Sequence, residues 1–503
     1  MRAIPYIASC QAIRALLAVC IGAALASCAV GPDYHRPAAP DVRRYAPAPV
    51  DGTVAAPGPG GQAQQLVHDM DIPGQWWTLF HSGPLNALVE DALKNNPDLA
   101  AAQQALQAAL ENVRAQRGEY LPQLSASIDP TRQQTGNVLS SGVASNSTLY
   151  NLTTAQLSIS YVPDLWGANR RQVESLVAQA DAQRFQLEAT YLTLTSNLVN
   201  AAVGEASLRA QIAMTQDMID SQSAILDTDR KQLALGDMAQ GDIAAQEATL
   251  EQARASLPPL QKQLALQRDL LAVLAGRSPD KDVPARFAFD TLHLPEQLPV
   301  SLPARLVEQR PDVRMADANL HAACAQVGVA FAARLPNINI TANWGSAADQ
   351  MHELFGAGTG FWNLGAAITT PIFSGGTLKH RQRAAEAMYR QAAEQYRSTV
   401  MSALQNVADA LHAVQYDADT MAAAARAGQA AARSLAIARR QYALGDISLV
   451  AVLNAQVIDR QAELSVIQAR AARYADTVAL FQALGGGWWN RRDAAVSTGP
   501  MAR

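Results

Sequence analysis

Apolar side chains recur every seventh residue through the middle of the chain. Tyr191, Leu198, Ile212, Ile219, Leu226 and Leu233 form one series, broken only at Glu205. Leu187, Leu194, Ala201 and Leu208 form a second series that completes a 4-3 spacing. That spacing describes the seam of a coiled coil. It predicts a single helix over 168–233, roughly 100 Å long at ~1.5 Å per residue. The seam returns 209 residues later as Val400, Val407, Val414, Met421, Gly428, Leu435 and Tyr442, with Leu404, Leu411, Ala418, Ala425 and Ala432 beside it. Each run ends in the same four residues, Ala234-Leu235-Gly236-Asp237 and Ala443-Leu444-Gly445-Asp446. Glycine takes the left-handed backbone that closes a helix, so each long helix is predicted to turn there into a return helix, over 240–274 and 448–484.

The duplication extends to other landmarks. Asn96-Pro97-Asp98-Leu99 pairs with Arg310-Pro311-Asp312-Val313, and Leu121-Pro122-Gln123-Leu124 with Leu335-Pro336-Asn337-Ile338. Each half reads as a helix of ~30 residues (85–117 and 303–333), a strand pair, a long helix, a turn and a return helix. Repetition on this scale points to a body whose function comes from shape and assembly.

A second period marks the strands. Leu124 to Ile128, Leu157 to Val162, Ile338 to Ala342 and, less regularly, Leu364 to Ile368 alternate apolar with small polar residues. Such strands have one apolar and one polar face. Four strands cannot close a barrel with a filled interior, and an open edge is costly in lipid. Three chains giving four strands each would close a 12-stranded barrel around a polar lumen. Two solvent-facing hairpins capping a helical stalk are the plainer alternative.

Composition fits a helical assembly. Only 17% of the 503 residues are charged, and small residues let helices approach closely. A net charge of −4 gives no electrostatic case for nucleic acid.

The first residues are a targeting segment, with Arg2 and Arg14 before an apolar stretch too short to span a bilayer. The segment ends in Leu25-Ala26-Ser27-Cys28, the pattern of a lipobox, so Cys28 is the expected lipidation site. Residue 29 is Ala rather than Asp, which favours export to the outer membrane. The division expected is a signal peptide (1–27), a Pro- and Gly-rich lipid-anchored tether (28–70), a first repeat (71–290), a second repeat (291–487) and a tail (488–503). Of four cysteines only Cys324 would remain outside the signal and the lipid site, so no intrachain disulfide is expected. No later stretch is apolar for long enough to make a membrane helix.

No catalytic constellation is present. His352-Glu353 lacks the second His of a zinc protease motif, and Gly485-Gly486-Gly487 reads as a helix stop rather than a phosphate loop. The expected protein is not an enzyme and needs neither metal nor cofactor beyond a covalent lipid on Cys28. The remaining chemistry lies at the hairpin tips. Asp237 and Asp446 would gather as six carboxylates around a threefold axis, where like charges repel unless paired or protonated. Arg230, Arg439 and Arg440 lie about two turns before the tips as candidate partners. The same aspartates also read simply as N-caps of the return helices.

The Leu25–Cys28 lipobox, Cys28-Ala29-Val30-Gly31-Pro32-Asp33-Tyr34, Trp76-Trp77-Thr78-Leu79-Phe80, Arg310-Pro311-Asp312-Val313-Arg314, Pro371-Ile372-Phe373 and Leu453-Asn454-Ala455-Gln456 resemble the outer-membrane efflux proteins of the TolC type. The similarity covers essentially the whole mature chain and is to the lipoprotein (NodT-like) branch that serves resistance–nodulation–division pumps. The resemblance implies a mainly α, internally duplicated fold with a small β part. It also implies a homotrimer with a 12-stranded transmembrane barrel and an α-helical periplasmic tunnel. A periplasmic adaptor and an inner-membrane pump would dock at the tips, through Leu235, Gly236, Met238, Leu444, Gly445 and Ile447. Family members often carry acidic residues in this turn; here Asp237 and Asp446 directly follow the glycines. A non-conducting envelope spacer and an exit duct for protein secretion stand as alternatives.

Overall fold

A computed structural model describes residues 29–38, 41–42, 44–45, 52–68, 70–136, 148–236 and 238–491. The expected signal segment, including Leu25, Ala26, Ser27 and Cys28, lies outside them, as does Asp237. In chain order the elements are β1 (Gln65–His68), α1 (Gly83–Asn95), α2 (Pro97–Gly118), β2 (Gln123–Gln134), β3 (Leu149–Tyr161), α3 (Ala168–Leu235) and α4 (Gln240–Leu274). The second half repeats them as β4 (Gln297–Val300), α5 (Pro303–Gln309), α6 (Pro311–Ala332), β5 (Asn337–Ala348), β6 (Gly360–Thr369), α7 (Thr377–Ala443) and α8 (Leu449–Ala483).

The long helices follow the heptads. Leu198, Ile219 and Leu226 on α3 and Val400, Val407, Val414, Met421 and Leu435 on α7 are all buried. Glu205, the residue that breaks the first series, is completely buried. Its Oε1 accepts hydrogen bonds from Arg209 Nε and Arg268 Nη1, both at 2.8 Å, so the break is a buried ion cluster rather than a gap in the seam, with Glu205 Oε2 left without a hydrogen-bond partner.

Three expectations are corrected. The ~30-residue helices are each two helices, because a residue before proline is driven out of the α region. Asn96 (φ −70°, ψ 123°) and Arg310 (φ −81°, ψ 126°) are extended and end α1 and α5. The strands run far past their alternating centres, to between 10 and 13 residues. The 28–70 segment, where described, is more than a spacer: β1 pairs in parallel with β4, Gln65 opposite Gln297.

The chain forms two compact units, and each draws on both repeats. The first comprises 1–36, 106–182 and 316–396. It contains one antiparallel four-stranded sheet in the order β2-β3-β5-β6, which leaves one edge of β2 and one of β6 without a partner strand. The second comprises 37–105, 183–315 and 397–503. Its core forms around the Trp-Trp-Thr-Leu-Phe segment. Trp76 stacks on Phe481 with ring centres 5.3 Å apart and meets Trp77 and Phe80 edge-on. Arg473 is buried beside it and donates to the carbonyls of Gly60 (2.9 Å) and Gln62 (2.7 Å). A buried guanidinium is tolerable only when its donors find such acceptors.

Candidate functional site

Antiparallel pairing places opposed residues on the same face of a sheet. The register therefore sorts the alternating strands into two surfaces. On one face Leu124, Ile159, Ala342 and Leu364 form a row across all four strands, and Ala126, Leu157, Trp344 and Trp362 form the next. On the opposite face the rows are Ser125, Ser158, Asn343 and Asn363, then Gln123, Ser160, Thr341 and Gly365. The polar rows bond among themselves: Asn343 Nδ2 donates to Asn363 Oδ1 at 2.9 Å, and Ser160 Oγ to Asn339 Oδ1 at 3.2 Å. The apolar rows are open, with Leu124, Trp344, Trp362 and Leu364 each about 70% exposed. A sheet with one continuous bare apolar face, one polar face and strands of this length has the character of a transmembrane barrel wall. No helix among the described residues is long and apolar enough to cross a membrane.

The described residues after Cys28 are clamped to the first unit. Val30 N–H donates to the Trp166 carbonyl at 3.1 Å. Asp33 pairs with Arg171 at 2.6 Å, and Arg171 also holds Glu174 at 2.8 Å. The Tyr34 ring stacks on His321, with centres 4.3 Å apart, and its hydroxyl donates to Asp317. Burial, then that carboxylate, pushes the Tyr34 hydroxyl well above its usual range. The hydrogen bond from His321, together with Arg171 and against the effect of burial, holds Glu174 below the usual carboxylate range. Gly31 has φ +105°, and a Cβ there would lie 2.5 Å from the Cα of Gly328. Cys324 is buried and lies against the Pro32 carbonyl.

At the second hairpin tip the structure tests the capping reading of Asp446; Asp237 lies outside the described residues. Gly445 (φ +81°) donates its N–H to Tyr442 O at 3.0 Å, and Asp446 N–H donates to Gln441 O at 2.9 Å. These two bonds form a Schellman closure of α7. Asp446 therefore serves the turn through its amide, and its exposed carboxylate caps nothing. The N-cap residues of the return helices are Ala239 and Ser448, neither with a side-chain cap bond. N-capping of α8 by Asp446 is thus overturned. The physical substitute is a hydrophobic staple. Met238 packs against a cluster containing Ile243, and Ile447 against one containing Val452.

The expected tip surface is correspondingly smaller. Met238 and Ile447 are partly buried in their own hairpins, whereas Leu235 (77%) and Leu444 (70%) stand exposed beside Gly236 and Gly445. Arg230 pairs across its own hairpin, α3 to α4, with Glu247 at 2.8 Å. Arg439 and Arg440 make no ion pair among the described residues, and Arg439 lines a cavity described below. Sequence reasoning missed Asp229, buried between the two helices of the first hairpin. Burial, then the charge of Asp242, pushes its carboxyl up. Burial, then Asp229 and Asp242, pushes the Tyr442 hydroxyl up. Continuing the second series in sevens from Leu208 reaches Thr215, Gln222 and Asp229, so spacing marks Asp229 as a seam position and only its polarity concealed it.

The family model for outer membrane efflux proteins matches residues 88–277 and 302–486. The chain is 28% identical to the toluene efflux pump outer membrane protein TtgC of Pseudomonas putida over 488 residues, 96% of this chain and 97% of that protein. It is 27% identical to the cation efflux system protein CusC of Escherichia coli over 473 residues, 94% and 98% of the two. The crystal structure of VceC from Vibrio cholerae superposes with a TM-score of 0.76 at 26% identity, covering 83% of this chain and all of that one. The duplicated helical hairpins, the sheet with a bare apolar face and matches over both repeats lead to one conclusion: the chain belongs to the outer membrane efflux protein family, with the TolC-like fold of an efflux channel of the outer membrane.

Proposed function

We propose that three copies of this chain close a 12-stranded barrel and form the exit duct of a tripartite efflux system, fed by a periplasmic adaptor and an inner-membrane pump of the resistance–nodulation–division class. The observation that carries this reading is the four-stranded sheet. Its apolar face has no cover and its outer strands each have an unpaired edge, which lipid does not tolerate. Joining β2 of one copy to β6 of the next removes every edge and points the serine and asparagine rows inward. Energy comes from the inner-membrane partner; the duct performs no reaction, holds no cofactor and binds no nucleic acid. Lipid on Cys28 adds a second membrane attachment. The exposed Leu235 and Leu444, with Gly236 and Gly445, form the adaptor contact. The carboxylate of Asp446 faces the periplasmic aperture, a role supported by the absence of an N-cap bond from it, and the sequence repeat assigns Asp237 the same role.

The relatives are named for loads as different as toluene and cations, which fits a wide lumen that selects little. Purified protein reconstituted in planar bilayers should conduct and should run as a trimer in detergent. A stable monomer without conductance, with Asp446 neutralised as well, would support the envelope-spacer reading instead.

A further inference from the structure

One heptad position of α7 is empty of side chain. Gly428 stands 209 residues after Ile219, which is buried in the first repeat's seam. The space it leaves is part of a cavity of about 530 Å³ between α3, α7 and α8 of the second unit, within the usual size of a small-molecule pocket. A Cβ on Gly428 would meet Val466 Cγ2 at 3.6 Å, an ordinary contact, so no backbone strain forces the hole.

The lining is divided by chemistry. Met218, Leu435 and Ile467 form an apolar side. Asp217, Asp459 and Glu463 supply three carboxyl groups against the two guanidinium groups of Arg439 and Arg460. Arg460 is turned toward Ser256, donating to its Oγ at 2.9 Å. Burial, then Asp459 and Asp217, pushes the Glu463 carboxyl up, with no cation among the groups acting on it. Gln222 is only 4% exposed, and its Oε1 has no hydrogen-bond partner. Gln456 Oε1 and Asp459 Oδ1 are buried without partners as well. Buried acceptors left empty are costly. Three unfilled acceptors beside an excess of one negative charge match a primary ammonium, which carries three donors and one positive charge. Among the described residues no group of three His, Cys, Asp or Glu is placed to hold a metal ion, which leaves an organic cation.

We propose that this cavity is a binding site for a small amphipathic amine, its ammonium held by Gln222, Gln456 and Asp459 beside Glu463 and its apolar body against Met218, Leu435 and Ile467. The site lies in the helical part of the molecule and does not depend on whether the barrel conducts. The test is equilibrium dialysis of the detergent-purified full chain against naphthylethylamine, with the uncharged naphthylethanol as control. The amine should bind once per chain and about ten-fold or more tightly than the alcohol. Gly428→Leu, which fills the hole, should abolish amine binding. Glu463→Gln should weaken the amine about ten-fold while leaving the alcohol unchanged. Equal uptake of amine and alcohol, or amine binding unaffected by both variants, overturns the site. Should Gly428→Leu fail to fold by circular dichroism, Glu463→Gln decides alone.

Discussion

Leu157 and Ser158 are neighbours on β3 that face opposite ways, and arginine placed at each should have opposite consequences. Leu157 lies in the apolar row with Ala126, Trp344 and Trp362; Ser158 lies in the polar row with Ser125, Asn343 and Asn363. Both sit inside a 13-residue strand with partners on both sides, so neither substitution disturbs an edge. An arginine on the lipid face of a barrel near the midplane costs about 2–4 kcal/mol. At ~1.4 kcal/mol per factor of ten, Leu157→Arg should lower the folding equilibrium constant roughly 30- to 700-fold. Ser158→Arg puts the same charge in water and should change stability by no more than about 0.5 kcal/mol. Urea-dependent folding into lipid vesicles, read by the mobility shift of folded barrels on unheated gels, measures both. Ser158→Arg should also shift the reversal potential toward anion selectivity. Equal tolerance of the two variants would refute the assignment of faces, and a larger loss for Ser158→Arg would reverse it.

Cys28→Ser should abolish incorporation of labelled palmitate; retained label would refute the lipobox. Asp446→Ala should raise leak conductance in planar bilayers while leaving thermal stability nearly unchanged, because the turn uses the Asp446 amide and not its carboxylate; equal conductance removes Asp446 from the aperture. Asp417 on α7 is pushed up to about 7 by burial, then by its hydrogen bond and charge interaction with Asp476. A carboxyl whose folded-state pKa is raised gives its full stabilisation below the unfolded-state pKa and loses it as pH rises from there through the folded-state pKa. Melting temperature should therefore fall as pH rises from about 4 to about 7 and level off above, and Asp417→Asn should flatten that slope; an unchanged slope refutes the pairing.

Periodicity made most of the helical architecture legible. The seam and the Ala-Leu-Gly-Asp repeats located α3 and α7 to within two residues at the turn. Strand centres were visible and strand lengths were not, because Asp129, Pro130, Thr131 and Arg132 are polar on both faces and break the alternation. The breaks at Asn96 and Arg310 were readable from the prolines that follow, but the helical pattern on either side concealed them. The ordered segment beyond Cys28 looked like a tether because its partners are remote: Tyr34 reaches Asp317, 283 residues away. Asp229 and Gln222 continue the second heptad series beyond Leu208, where their polarity concealed them; Gln456 and Asp459 depend on which helices meet, and no local spacing encodes that. Gly428 did appear in the seam as the one position without a side chain, and the cavity is its physical consequence.

The clamp on residues 29–36 holds the chain from Ala29 onward against the base of the sheet. Ala29 lies so close to Gly167 that a Cβ on that glycine would fall 2.8 Å from the Ala29 Cα, and Gly167 follows the end of β3 by a few residues. Under the proposed lipidation of Cys28, the acyl chains would attach one residue before this fixed point. A lipid on Cys28, as proposed above, would then act less as a leash than as a depth stop for the strands in the bilayer.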